Sequence, residues 1–295
     1  MIKNRNPIFV SIIYAIIAAL FYGLSAPLSK LLLNQLSPYT MSSLLYFGAG
    51  IGMAMIVFLR RTKPSEIIGG FKSKDIPYIV MMVILDIIAP ILLMCGLLKT
   101  NASTAALLNN FEIIFTGLIA MIFFKEHIGK KMWVAISVIL VSGFLLSLED
   151  FTTFQISLGA ILVLLASLSW GLENNCTRML SHHDPLYIVI IKGVGSGIGA
   201  AIIALSFNDF GGSWVYMGFA LLLGFISYGL SLYFYISAQR HLGALRTSAY
   251  YATAPFAGAL FSFVLLRESL SLVFVIAFIC MALGTYLAIL ENKKD

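Results

Sequence analysis

The chain has 295 residues, 60% hydrophobic and 11% charged, with a formal net charge of +6. Soluble globular proteins carry about 25% charged residues, and a chain of this size in water would need a mostly polar surface. The composition therefore excludes a soluble protein and sets most of the chain against lipid. The basic residues fall in short breaks between apolar stretches, not in a stripe interleaved with stacking aromatics, which excludes a nucleic-acid interface.

From the N-terminus, Lys3 and Arg5 precede an apolar run that starts near Ile8 and lacks a small-residue cleavage site. It reads as a retained first span rather than a signal peptide. A helix needs about 20 residues to cross about 30 Å of hydrocarbon. That rule predicts ten spans, at about 9–33, 39–59, 76–98, 103–124, 130–148, 156–178, 185–207, 215–239, 246–266 and 271–290. The stretches are continuously apolar for twice the length of a barrel strand, so a β-barrel is excluded. Short connections predict antiparallel neighbours packed against one another. The longest connection, about Arg60 to Asp75, holds Gly69, Gly70 and several basic residues; no segment remains for a soluble catalytic domain. The expected fold class is all-α integral membrane.

Ten spans put both termini on one side. With that side cytoplasmic, Lys30, Lys99 and Arg267 are the basic residues left outside, Lys192 falls within a span, and all the others face inward. The positive-inside rule then gives cytoplasmic termini.

The two halves, 1–148 and 149–295, echo each other. Tyr22-Gly23-Leu24 recurs as Trp170-Gly171-Leu172, Ser37-Pro38-Tyr39 as Asp184-Pro185-Leu186, and Gly48, Gly50 and Gly52 as Gly195, Gly197 and Gly199. Lys125-Glu126 returns as Arg267-Glu268, and Gly143 as Gly284. Five spans per half make the second copy enter the membrane from the opposite side, an inverted repeat that lets one central site face either side in turn.

The aromatic-Gly runs at Tyr22-Gly23 and Trp170-Gly171, Pro255 followed by Leu265-Leu266-Arg267-Glu268, and the small-residue stretches Ser142-Gly143 and Ala282-Leu283-Gly284 carry a resemblance over nearly the whole chain. The sequence resembles the drug/metabolite transporter superfamily, in the branch with two EamA domains. Where the second half has Pro255, the first has Ile113 preceded by Glu112. The resemblance implies a secondary transporter of small organic solutes, often an exporter of amino acids or other metabolites. It further implies ten helices, both termini inside and a prokaryotic plasma membrane.

Charges deep in hydrocarbon are costly and normally face the bundle interior or a wet cavity. Asp86 lies near the middle of the third span, four residues before Pro90, where proline frees a backbone carbonyl. It reads either as a cation or proton site or as a structural carboxylate. Asn109, Glu112 and Thr116 share one helical face and are expected to line a cavity, while Asn110 points elsewhere as interhelical glue. Trp170, Glu173 and Thr177 form a second polar face, extended by Asn174 and Asn175. Trp beside a carboxylate suits an amine or quaternary ammonium, although an interfacial Trp anchor, and neutralisation of Glu173 by Arg178, remain open. Lys192 either pairs with one of the acids or snorkels to the cytoplasm. Tyr22, Tyr228, Tyr235, Tyr250 and Tyr251 are candidate clamps for a ring-shaped or cationic solute, with core packing as the alternative. Tyr14, Trp214, Tyr216 and Tyr286 suit interfacial belts.

The glycine run 193–199 lies in an apolar span without a βαβ unit, so it is not a nucleotide loop. Gly48, Gly52, Gly195 and Gly199 are read as helix-packing positions. His127, His182, His183 and His241 fall at helix ends and are expected to be solvated. No cysteine pair, metal spacing or nucleophile–base constellation is present in the sequence. The expectation is a non-enzymatic secondary transporter without cofactor or metal, moving a small cationic or zwitterionic organic solute by alternating access. Its partners are the lipid bilayer, the solute and a candidate proton. Asp86, Glu112 and Lys192 are the coupling candidates; a channel or uniporter for neutral metabolites is the rival.

Overall fold

In hydrocarbon every backbone N–H and C=O must be satisfied inside the protein, and an isolated apolar run achieves this only as a helix. The computed structural model describes residues 7–59, 71–125, 129–150, 155–180 and 183–291. Lys3, Arg5, Arg60, Arg61, Lys63, Gly69, Gly70, Glu126, His127, His182, Lys293 and Lys294 lie outside the described residues.

Helices α1 (Pro7–Gly23) and α2 (Ser25–Leu32) form one stretch interrupted at Leu24, followed by α3 (Pro38–Leu59). A 3-10 turn at Ser73–Asp75 opens α4 (Ile76–Lys99); then come α5 (Ala102–Leu108), α6 (Phe111–Phe124) and α7 (Lys130–Ser147). A short antiparallel strand pair, Leu148–Asp150 with Gln155–Ile156, joins the halves. The second half continues with α8 (Leu158–Met179), α9 (Pro185–Ser206), α10 (Trp214–Gly224), a π turn at Phe225–Leu230, α11 (Ser231–Tyr251), α12 (Ala254–Leu266) and α13 (Leu272–Glu291).

Among the described residues, 8 stretches are long and apolar enough to cross a membrane. The remaining two candidates differ for clear reasons. Helix α8 has 22 residues but carries Glu173, Asn174, Asn175 and Arg178; α12 has only 13. The protein is thus an all-α membrane protein of eight to ten long helices.

Segment α11 has 21 helical residues, which in a straight helix would extend about 30 Å. Yet the rings of Tyr235 and Tyr251 stand 4.9 Å apart, and Ser231 Oγ lies 3.4 Å from Tyr251 Oη. The chain must therefore double back between Tyr235 and Tyr251, in the interval where hydropathy separates the eighth and ninth spans.

Sequence neighbours are not the main packing partners expected from the short loops. Helix α4 packs along α8 as α1 packs along α11; α6 meets α8 as α12 meets α1; α9 meets α4 as α10 meets α3. Helices α3 and α9 pair with each other, as do α7 and α13. Every one of these contacts crosses between the halves and has its counterpart under exchange of the halves, with α3–α9 and α7–α13 mapping onto themselves. Short loops constrain only helix ends, whereas the fit of the faces decides the partners. The same symmetry shows in the backbone: Lys125 and Arg267, the two basic residues of the repeated basic-acidic pair, both end a helix in the left-handed region, at φ 56° and 53°.

At the centre, α3 and α9 touch backbone to backbone, and a Cβ on Gly50 would come within 2.6 Å of Val194 N. Gly48 and Gly52 do not meet Gly195 and Gly199. The first pair receives Leu221 and Phe225; the second receives Val83 and Ile87 of α4. Each pair thus admits a third helix, again in matching fashion.

Candidate functional site

The buried centre of the bundle encloses a cavity of about 950 Å³. Asp86, Asn109, Glu112, Thr116, Trp170 and Glu173 all line it. So do Lys192, Tyr22, Tyr228, Tyr235 and Tyr251. Its rim is formed by Gly129 and Met132 at the start of α7 and by Ala288 and Ile289 near the end of α13. Past Tyr22, Asn109 and Tyr228 it narrows to a pocket of about 20 Å³ among Leu93, Ala105, Pro255 and Gly258.

The fourth span is broken at Asn109-Asn110, between α5 and α6. The break turns Asn109 Nδ2 onto Tyr22 Oη at 2.8 Å and puts Glu112 in the first turn of α6, where the helix dipole favours an acid. Glu112 Oε1 accepts from Asn174 Nδ2 at 2.7 Å, and Thr116 Oγ1 donates to the Glu112 carbonyl at 2.7 Å. Asn110 Nδ2 turns aside to Thr285 Oγ1 at 2.6 Å, an interhelical bond from the cavity edge. Pro255 is at the corresponding break of the ninth span, in the first turn of α12.

Lys192 does not snorkel. Its Nζ stands 3.0 Å from Glu173 Oε1 and 3.3 Å from Asp86 Oδ2, with the two acids 1% exposed and the Lys192 side chain 17%. Desolvated charges persist only when paired and hydrogen-bonded, and this triad meets both conditions. Tyr46 Oη donates to Asp86 Oδ1 at 2.8 Å and accepts from Trp170 Nε1 at 3.2 Å; Thr177 Oγ1 donates to Glu173. One polar network thus joins α3, α4, α8 and α9.

Several alternatives left open by the sequence are resolved. Trp170 is buried and is not an interfacial anchor. Arg178 lies over the Phe124 ring at 5.0 Å. Helix α4 continues through Pro90, and the Asp86 carboxylate meets side chains rather than a freed carbonyl. Tyr250 is not in the cavity wall; it packs on Ala15, Ala238 and Leu242, because the adjacent Tyr251 takes the inward direction. His183 is no simple solvated end: its Nε2 meets Asp75 Oδ2 at 3.0 Å and its ring lies tilted against that of Phe71, 4.1 Å between centroids.

Tyr46 is the residue that sequence reasoning missed. It stands in a glycine-rich apolar span with no charged companion, and its polar neighbours at helical spacing, Ser42 and Ser43, are small hydroxyls. The repeat held a signal, since aligning Gly48 with Gly195 sets Tyr46 beside the position of Lys192.

The end opposite the rim is closed by polar caps. Glu268 accepts from the Ala102 and Ser103 amides at 2.7 and 3.0 Å. Lys30 Nζ donates to the carbonyls of Leu97 and Thr100. Ser37 and Thr40 hydroxyls donate to the Asp209 carbonyl at 2.9 and 2.7 Å.

A helical membrane bundle around an interior polar cavity is the layout of a transport protein. The EamA-like transporter family model matches residues 9–148 and again 157–290, and the chain belongs to that family. It is 28% identical over 298 aligned residues, 94% of this chain and 85% of the other, to an uncharacterized transporter of Methanothermobacter thermautotrophicus. A solved crystal structure, 15% identical, matches with a TM-score of 0.69 over 97% of this chain and 99% of its own. At that identity the likeness concerns the fold alone.

Proposed function

We propose that the protein is a secondary transporter of a small cationic or zwitterionic organic solute, such as an amino acid, an amine or a related metabolite. It works by alternating access, with protons as the candidate coupling ion. The observation that carries this reading is the capped cavity, whose charged side chains are three carboxyls and one ammonium among the described residues. Ten spans in two inverted five-helix repeats, 1–148 and 149–295, give the required architecture. The exchange symmetry of the packing and the doubling back of α11 support that count.

The helices that cohere suggest the moving units. Helices α4, α6 and α8 form one body; α1, α11 and α12 form its counterpart. The sequence halves are interlocked, so these cross-half bodies, rather than the halves, rock around the α3–α9 pair. The cavity opens on the side of the termini, cytoplasmic by the positive-inside rule in a prokaryotic plasma membrane. Glu268, Lys30 and Thr40 seal the outer side.

Neutralising Glu112 or Asp86 (E112Q, D86N) is expected to abolish transport in sealed vesicles while leaving the folded protein intact by size exclusion. Full transport by both variants would sink the assignment. Runs with and without a pH gradient test the coupling, and indifference to the gradient in both directions removes the proton.

A further inference from the structure

The cavity's charges are not equivalent. Asp86 and Glu173 line the cavity but are almost fully buried, and both are committed to Lys192. Glu112 makes no salt bridge among the described residues, is only partly buried, and has one oxygen held by the neutral amide of Asn174. With all four groups ionised, the triad carries one net negative charge and Glu112 a second. Lys192 is the only basic side chain among the described lining residues, so a carboxylate entering the cavity would meet its one cation from between two carboxylates. That repulsion is strong at ion-pair separations even with partial solvent screening.

The walls beside Glu112 are aromatic. Glu112 lines the same cavity as Tyr22, Tyr228 and Tyr251. The Tyr22 ring lies 6.0 Å from that of Tyr228 and 5.8 Å from that of Tyr251, and Tyr235 continues the wall. A cation against tyrosine faces gains ring attraction in addition to its charge pairing. A volume of about 950 Å³ leaves room for a ring as well as an ammonium group.

We infer that the solute is an organic cation without a carboxylate, an amine or quaternary ammonium, bound by Glu112 within the wall of Tyr22, Tyr228 and Tyr251, and that the site rejects the corresponding amino acids. This rests on the transporter reading and narrows it.

The test compares matched pairs on the purified full-length protein by calorimetric titration: 2-phenylethylamine against L-phenylalanine, and choline against glycine betaine. Within each pair the cationic head is shared and the carboxylate differs. The amine of at least one pair is expected to bind roughly tenfold or more tighter than its carboxylate partner. E112Q is expected to lower that amine's affinity at least roughly tenfold, and E112D to restore part of it. The wild-type comparison stands even if a variant fails to fold. Equal or tighter binding of the carboxylate partner in both pairs, or unchanged amine affinity in folded E112Q, overturns the inference. If vesicles accumulate L-phenylalanine or glycine betaine but neither amine, the inference falls and the transporter reading stands. If none of the four binds or moves, both fall.

Discussion

Lys192 between Asp86 and Glu173 is a case where removing one partner costs far more than the pair is worth. K192M strands two carboxylates away from water, and breaking a buried pair in this way destabilises by about 3–5 kcal/mol. The expected outcome is a large fall in Tm of the detergent-purified protein. E173Q added to K192M should recover part of it, because Asp86 then keeps Tyr46 as donor and has no acidic neighbour left in the network. A double variant no more stable than K192M would contradict the triad. Y46F is milder. It removes the hydroxyl that joins Asp86 to Trp170, for a loss of about 1–3 kcal/mol, read in the same melting experiment.

At the level of the elements, the repeated basic-acidic pair has a mechanical role in the second half. Arg267 ends α12 in the left-handed region, and that turn delivers Glu268 to the amides opening α5 in the other half. A carboxylate on two amides at a helix start is a charge-assisted cap. E268A should therefore loosen the outer closure. A cysteine at Leu93, in the narrow pocket behind the cap, is expected to react several-fold faster with a membrane-impermeant maleimide added from outside. An unchanged rate would show that the cap does not hold the closure. The α3–α9 contact makes a second demand: G50V inserts a branched side chain where even a Cβ meets the Val194 backbone. Backbone cannot give way as a flexible side chain can, so this variant is expected to yield little folded protein by fluorescence size exclusion.

For the whole molecule, an asymmetry is laid over the pseudo-two-fold. Trp170 and Glu173 of α8 are charged or hydrogen-bonded to the ion network, whereas the matching stretch of the first span offers Tyr22 and Ser25, with Ser25 donating to Tyr228 Oη at 3.2 Å. Helices α4 and α8 thus meet α3 and α9 through ions, whereas α1 is held to α11 and the π turn before it by neutral hydroxyls, Ser227 to Phe21 O and Ser231 to Ala18 O. Protonation of Asp86 or Glu173 would act on the first set of contacts and leave the hydroxyl bonds of the second unchanged, so a pH gradient is expected to bias the packing of α4 and α8 on α3 and α9. Cysteines at the two termini are expected to label from the cytoplasmic side together, and labelling from opposite sides would break the ten-span reading.

Hydropathy alone set the class of the protein and the approximate position of its helices, because lipid imposes length and apolarity on each segment locally, and matched motifs set the repeat. It also exposed Asp86, Glu112, Glu173 and Lys192, since an ion in an apolar run stands out wherever it finally points. What hydropathy did not hold was partnership. That Lys192 bridges two acids, that Tyr46 completes the network, that Tyr251 rather than Tyr250 faces inward, and that α4 packs on α8 across the halves depend on helix rotation and on glycine-scale fit between distant segments. Those are decided by the burial of polar faces and by backbone contact in three dimensions, which a periodic pattern along one chain does not encode.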